Sequence, residues 1–110
     1  MEKTRELVKK NLWFRGYRVR DVSDITSYDL LVQDHIRVKI IERKAEPKKI
    51  TMDTSGFDVL VVFVNGVTKK HTRFYARVPQ VITNNEKNVQ TFEGFTKNPA
   101  QAFGSTTMGN

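Results

Sequence analysis

The chain has 110 residues, with 19 lysines and arginines, 12 aspartates and glutamates, two histidines and no cysteine. This length suits one domain with a single core. The formal charge of +7 favours polyanionic partners, with nucleic acid first and an anionic membrane surface second. The lack of cysteine excludes disulfides and cysteine-ligated zinc, and two histidines are too few for most zinc enzymes. A metal would therefore be held by oxygen ligands, which indicates magnesium or manganese.

Neither membrane insertion nor export is indicated by the sequence. It contains no run of about 18 apolar residues. The segment MEKTRELVKK carries charges where a signal peptide would have its apolar part. We therefore expect a cytoplasmic protein without a membrane partner, which could associate with the nucleoid.

The chain begins with a segment typical of an amphipathic helix, EKTRELVKKNLWFRG, in which Gly16 is suited to ending the helix. Its apolar residues recur at helical spacing: Leu7, Val8, Leu12 and Phe14. A short strand from Tyr17 to about Asp21 is predicted next, and SDITS is predicted to be a loop.

The middle of the chain is rich in β-forming residues. YDLLVQDHIRVKIIERK has two such runs on either side of Asp34 and His35, which is typical of a tight hairpin. AEPKKITMDTSG is predicted to be a connection, and the apolar run FDVLVVFV a strand buried on both faces. NGVTKKHT predicts a turn, RFYARVP a further strand, and QVITNNEKNVQTF a helical turn or two.

These elements predict an α/β (α+β) fold with a central mixed sheet of about five strands, an N-terminal helix and few flanking helices. Residues 1–92 would form this domain, and residues 93–110 are predicted to be a flexible C-terminal tail. Because helical cover is thin, one sheet face would need a second subunit, so a homodimer is expected. Five large aromatic residues are expected in the core or in a dimer interface, with base-stacking platforms as the alternative: Trp13, Phe14, Phe63, Phe74 and Tyr75. Asp58 is expected to accept a hydrogen bond at the start of its strand.

The strand after the hairpin turn is apolar on one face and then becomes charged. Side chains alternate across a strand, so this face carries Ile36, Val38, Ile40, Glu42 and Lys44. Charges at the edge of a core need compensation, by pairing or by a metal ion. The strand end is therefore a candidate site.

The hairpin brings a second acid toward this face. A turn about Asp34 and His35 would set residues whose numbers sum to 69 opposite each other, so Asp29 would face Ile40. Asp29 would then be the diagonal neighbour of Glu42, roughly 7 Å away. A divalent cation between the two carboxylates would compensate their charge and activate a bound water. The alternative is an exposed, salt-bridged strand end worth under about 1 kcal/mol.

The segment YDLLV, with Glu42 of ERK thirteen positions after Asp29, resembles the D…ExK core of the PD-(D/E)XK nuclease superfamily, the restriction-endonuclease-like proteins. The helix ending in RGYRVR and the later strands are similar to the element order of archaeal-type Holliday junction resolvases, over roughly residues 2–81. The resemblance implies that Asp29 and Glu42 bind Mg²⁺ or Mn²⁺, joined by the backbone carbonyl of Arg43. It also implies that Lys44 assists the nucleophile.

Such resolvases often carry a further glutamate on the first helix. Glu6 is the closest match and Glu2 the second, with a solvated surface charge as the alternative for Glu6. The chain departs from the family pattern where Ser27 and Tyr28 stand in place of a proline and its neighbour. It departs again after Lys44, where the segment is too short for the long helix of many members.

The expected activity is that of a Mg²⁺-dependent endonuclease on branched or duplex DNA. Its DNA-binding surface would be formed by Lys9, Lys10, Arg18, Arg20, Arg37, Lys39 and Arg43, near Arg15. The alternative for these cations is that they only solvate the surface. The alternatives are a module of the same fold that binds nucleic acid or a protein without cutting, and a basic protein acting on RNA.

Overall fold

A computed structural model describes residues 1–66, 71–79 and 89–105. The elements in chain order are α1 (Glu2–Phe14), β1 (Val19–Asp21), β2 (Leu30–Val32), β3 (Ile36–Arg43), β4 (Ile50–Asp53), β5 (Val59–Asn65), β6 (His71–Arg77), β7 (Val89–Phe92) and α2 (Ala100–Phe103). Five strands form one mixed sheet in the order β1-β2-β3-β5-β6, in which β3 and β5 run parallel. The predicted α+β fold with a mixed sheet of about five strands and an N-terminal helix is confirmed.

Helix α1 packs through a narrow stripe and ends as the sequence predicts. Its buried residues are Thr4, Val8 and Leu12, which are spaced by four. Gly16 has a φ of 95°, and the Tyr17 N–H donates to the Leu12 carbonyl at 3.1 Å. This is the hydrogen-bonding pattern of a Schellman motif, which needs a residue that tolerates positive φ after the helix. Gly16 therefore stops α1 and turns the chain into β1.

Strand β5 lies at the centre of the core and is buried on both faces, as predicted from FDVLVVFV. Val59, Val61 and Phe63 pack with α1 and α2 on one face of the sheet. The alternate residues of β5 pack with the second sheet, β4 paired with β7, on the other face. One face of the sheet is therefore covered by α1 and α2. The other is covered by β4 and β7 over β5 and β6, whereas its part on β2 and β3 stays partly or fully exposed at Leu31, Arg37 and Lys39.

Three segments differ from their sequence-based predictions. The predicted connection AEPKKITMDTSG contains strand β4, and the predicted helical segment ends in strand β7, since Ile50–Asp53 pairs with Val89–Phe92. Residues 93–105 of the predicted tail are not free of the domain, because Thr96 pairs with Tyr75 and the Phe103 side chain is 8% exposed. Residues 106–110, like 67–70 of the predicted turn and 80–88, lie outside the described ranges.

The hairpin register is shifted by one residue from the prediction. Leu30 lies opposite Val38, and Val32 opposite Ile36, so the paired numbers sum to 68. Three residues, Gln33 to His35, lie between the paired Val32 and Ile36, and Gln33 and Asp34 have φ values of 55° and 65°. Two successive positive φ angles are typical of a type I′ hairpin turn, which commonly uses Asn and Gly. The prediction of a turn about Asp34 and His35 is therefore wrong.

The large aromatic residues divide into two groups. Phe63, Phe74 and Tyr75 are buried, as expected. Trp13 and Phe14 are 64% and 81% exposed, so they do not lie in the core, and their expected place in a dimer interface stays a prediction. In the described ranges, no helix is long and apolar enough to cross a membrane.

Candidate active site

Asp29 stands immediately before β2 and is bound to β3 through both its backbone and its side chain. Its N–H donates to the Val38 carbonyl at 2.8 Å, and its Oδ2 accepts from the Ile40 N–H at 2.7 Å. The residue is only 8% exposed. The N–H groups of a strand point toward the neighbouring strand. The Asp29 carboxylate therefore accepts the hydrogen bond that a backbone carbonyl of β2 would accept from Ile40 if the β2–β3 ladder continued.

This contact arises differently from the predicted one. Continued pairing in the observed register would set Asp29 opposite Lys39, so the predicted position opposite Ile40, on the face of Glu42, is wrong. Asp29 is outside β2, however, and strand alternation no longer fixes the direction of its side chain. The hydrogen bond to the Ile40 N–H therefore brings the carboxylate to β3, two residues before Glu42.

Asp58 offers a comparison at the other end of β3. Its carboxylate also accepts from a backbone N–H of this strand, that of Arg37 at 2.9 Å, which confirms the predicted acceptor role. The Arg37 guanidinium adds two bonds, Nε to Oδ2 at 3.1 Å and Nη2 to Oδ1 at 3.0 Å. These bonds outweigh the effect of burial and lower the pKa of Asp58.

Asp29 lacks this compensation. No lysine, arginine or histidine nitrogen of the described residues forms an ion pair with it, and the Ile40 N–H is the one hydrogen-bond donor found there for its side chain. Unlike Asp58, the Asp29 carboxylate is therefore not paired with a positive side chain among the described residues.

Glu42 is held by helix α1. The Thr4 hydroxyl donates to Glu42 Oε2 at 3.1 Å, and the α-amino group of Met1 lies 4.0 Å from Oε1. Thr4 is 6% exposed, whereas the Glu42 side chain is 48% exposed. A buried hydroxyl therefore fixes one oxygen of a carboxylate that remains open to solvent.

Thr4, rather than either predicted glutamate, is the residue of α1 whose side chain is hydrogen-bonded to Glu42. Glu6 is exposed and, at 100° per residue, lies about 200° around the helix from Thr4, as does Glu2 in the other direction. Thr4 was not among the predicted site residues. Its signal in the sequence is a polar residue at the same spacing of four as Val8 and Leu12.

Lys44 follows the last residue of β3 and is exposed. It lines an open groove of about 480 Å³ together with Arg43, Lys48 and Lys49. The Arg43 guanidinium also donates from Nη1 to the Glu42 carbonyl at 2.9 Å. A concentration of cations therefore lies at the end of β3 that carries Glu42.

The predicted DNA-binding cations do not form one patch. Arg37 pairs with Asp58 and lies five residues, about 16 Å, from Glu42 along the strand. Arg18 pairs with Asp34 at 3.1 Å, and the Lys39 ammonium lies 3.5 Å from the Ser27 carbonyl oxygen. The other predicted residues lie on α1 (Lys9, Lys10), on β1 (Arg20) and beside Glu42 (Arg43).

The possible metal ligands are few. Among the described residues, no group of three or more histidine, cysteine, aspartate or glutamate side chains could hold a metal ion. The candidate site therefore rests on two carboxylates, those of Asp29 and Glu42. No family model, no curated protein and no solved structure matches this chain.

Proposed function

We propose that the chain is a metal-dependent endonuclease that hydrolyses DNA phosphodiester bonds, with branched DNA as its substrate. The observation that carries the proposal is Asp29, a carboxylate that is 8% exposed, without a cation partner among the described residues, and bound to β3 two residues before Glu42. The D…ExK spacing of Asp29, Glu42 and Lys44 supports the same activity by its resemblance to PD-(D/E)XK nucleases.

The two carboxylates fit a hard cation. Mg²⁺ is typically bound through one or two carboxylates, with waters and substrate phosphates completing its coordination. Asp29 would supply the buried ligand and Glu42 the exposed one. A bound Mg²⁺ or Mn²⁺ would polarise the phosphate and lower the pKa of a water ligand.

The other side chains have distinct roles in this proposal. The Thr4 hydroxyl orients Glu42 through Oε2. The other oxygen, Oε1, lies 4.0 Å from the Met1 α-amino group and would exchange this long contact for a metal ion. Lys44 places a compact positive charge near the attacked phosphate, where it stabilises developing negative charge. Arg43, Lys48 and Lys49 line the same groove and attract the DNA backbone.

A homodimer is a weaker part of the proposal. It was expected because one sheet face would need a second subunit; β4 and β7 cover that face over β5 and β6, and its part on β2 and β3 stays partly exposed. The family resemblance is the support that remains for it.

The test is incubation with labelled four-way junction, flap, duplex and single-stranded DNA, with RNA alongside, in Mg²⁺, Mn²⁺ or chelator. Metal-dependent cleavage that is fastest on branched DNA is expected. Asp29→Asn and Lys44→Ala should each abolish cleavage while DNA binding persists. Full activity of either variant would contradict the proposal.

A module that binds nucleic acid without cutting it is the second candidate. The observation that favours it is the Asp29–Ile40 hydrogen bond, which gives this carboxylate a structural use without any metal. This candidate predicts salt-sensitive binding that is indifferent to Mg²⁺ and to Asp29→Asn.

A further inference from the structure

The end of helix α1 presents two aromatic rings to solvent. Trp13 is 64% exposed and Phe14 81% exposed, and their ring centroids lie 5.7 Å apart with the planes inclined at 55°. The rings touch each other at an angle, so each keeps an open face. Adjacent exposed aromatic rings of this size commonly mark a binding surface.

The charge around these rings indicates what they bind. From Leu7 to Arg20 the chain carries five cations and no carboxylate residue: Lys9, Lys10, Arg15, Arg18 and Arg20. Lys9 and Lys10 precede Trp13 by four and three residues, so their stems lie on the same side of α1. Neither lysine, nor Arg15, forms an ion pair within residues 1–66, 71–79 and 89–105.

Arg15 follows α1 directly and borders a concave surface. It lines an open groove of about 360 Å³ with Tyr17, Asn98 and Pro99. Exposed rings, and cations without an ion pair among the described residues, lie at the same end of the helix and match a strand that alternates flat bases with phosphates. Proteins that bind single strands combine such a positive surface with aromatic stacking platforms.

We infer that Trp13 and Phe14 form a stacking platform for unpaired bases of DNA, with Lys9, Lys10 and Arg15 binding the adjoining phosphates. The charge complementarity distinguishes this partner from a second copy of the chain, whose own surface near the rings would be equally positive. Base stacking on Trp13 needs no metal and no cleavage, so it does not depend on the proposed nuclease activity.

The stacking platform also indicates which shape of DNA substrate could contact both the rings and the candidate active site. This step rests on the proposed function. Nine residues of helix separate Thr4, which contacts Glu42, from Trp13, and this corresponds to about 14 Å along the axis. Trp13 is also nine steps of 100° from Thr4, which sets it on the opposite side of α1, so a strand that reaches both places must pass around the helix as well as along it. At 3.4 Å per base, that path is longer than the about four nucleotides that the axial distance alone would span. A substrate that has unpaired bases more than about four nucleotides from the cleaved bond can reach both places.

Trp13 is the one tryptophan of the chain, so its fluorescence reports directly on stacking. The protein in chelator is titrated with an oligothymidine of about 12 nucleotides, a length within the usual range for single-strand sites. An abasic oligomer of equal length supplies the phosphates without the bases. We expect the oligothymidine to quench Trp13 fluorescence several-fold more strongly than the abasic oligomer or a blunt duplex does.

Variants distinguish base stacking on the two rings from nonspecific binding to any exposed hydrophobic side chain. Trp13→Ala and Phe14→Ala should each weaken oligothymidine binding about tenfold, measured by anisotropy of a labelled strand, and Trp13→Phe should recover most of the loss. Ile25 is 80% exposed and has no ring, so Ile25→Ala is the matched control and should change affinity less than twofold. All these side chains are exposed, so thermal unfolding should stay as in the wild type.

Equal binding of abasic and thymidine strands, or wild-type affinity in both alanine variants, would overturn the inference. So would a dimer in sedimentation velocity that Trp13→Ala dissociates while DNA affinity is unchanged, since the rings would then be the subunit interface. Quenching without cleavage of any substrate would refute the proposed nuclease and leave the stacking platform standing. Cleavage without quenching would do the reverse.

Discussion

Replacement of Asp29 by asparagine and by alanine separates its chemical role from its structural one. The asparagine amide oxygen can still accept the Ile40 N–H, now bonded to Asp29 at 2.7 Å, but it carries no charge for a cation. Alanine removes the acceptor and leaves this N–H without a partner at a position that is 8% exposed. Asp29→Asn should therefore fold normally and fail to cleave, and Asp29→Ala should be destabilised as well.

The expected magnitude follows from the buried bond. A hydrogen bond to a charged group contributes about 1.5–3 kcal/mol, so Asp29→Ala should lower the free energy of unfolding by about 2 kcal/mol. For 110 residues the unfolding entropy is about 0.23 kcal/mol/K, which converts this loss to a Tm lower by about 9 °C. Asp29→Asn keeps the bond and should stay within about 1 kcal/mol, or about 4 °C, of the wild type.

The assay is thermal unfolding followed by circular dichroism, in chelator and in Mg²⁺. At a free Mg²⁺ concentration a hundred times the Kd, binding to the folded state adds about 2.7 kcal/mol, a rise in Tm of about 12 °C. The wild type should show this rise, and Asp29→Asn should not. Asp58→Asn is the matched control, because Asp58 also bonds a β3 N–H but has its own cation, Arg37. It should keep both the rise and the cleavage.

Two results would refute the reasoning. Cleavage by Asp29→Asn at the wild-type rate would remove this carboxylate from catalysis. Equal destabilisation by asparagine and alanine would mean that the Ile40 hydrogen bond is not what the side chain contributes to folding.

Three further predictions concern the surroundings of the site. Lys44→Ala alters an exposed residue, so Tm should change by less than about 2 °C while cleavage is lost, and retained cleavage would contradict the role of Lys44. Thr4→Val removes the hydrogen-bond donor to Glu42 and places a valine that fits the apolar stripe of α1. The Mg²⁺ affinity measured by calorimetry should therefore fall about tenfold. An unchanged affinity would show that Glu42 needs no orientation. The Arg37 guanidinium lowers the pKa of Asp58 in the folded state. The stability that this pair contributes is therefore complete above the ordinary carboxyl pKa of about 4. It is lost as the pH falls through the lower pKa of the folded state. Asp58→Asn should therefore flatten the dependence of unfolding free energy on pH below about 4, and an unaltered slope in urea titrations would contradict the assignment.

Local chemistry made much of the fold predictable. The Gly16 stop needs only a residue that tolerates positive φ, and the buried strand β5 needs only a continuous apolar run. Strand β4 was not predicted because ITMD has no long apolar run. Its residues pair with residues of β7 that lie 36 to 42 positions further along the chain. Its pairing is decided by tertiary contacts rather than by propensity.

The site was predictable in its residues more than in its geometry. Alternation along β3 led to Glu42, but the register failed because Gln33 and Asp34 both adopt positive φ without being glycine. The hydrogen bond from the Ile40 N–H to the Asp29 side chain likewise could not be predicted from the alternation of side chains along a strand. Thr4 was missed because a threonine in an apolar helical stripe looks like part of the core.

The connectivity of β3 determines the order in which the candidate site can be assembled. Its pairs with β2 join residues four to eight apart, whereas its pairs with β5 join residues 21 apart, and the Thr4–Glu42 bond spans 38. Hairpins form in about 1–10 μs, and distant pairings wait for costlier loop closures. Asp29 can therefore meet β3 early in folding, while Glu42 gains its hydroxyl donor only when α1 docks. Opening of α1 alone would then disable the site with the hairpin intact, and hydrogen exchange at α1 amides would report how often that happens.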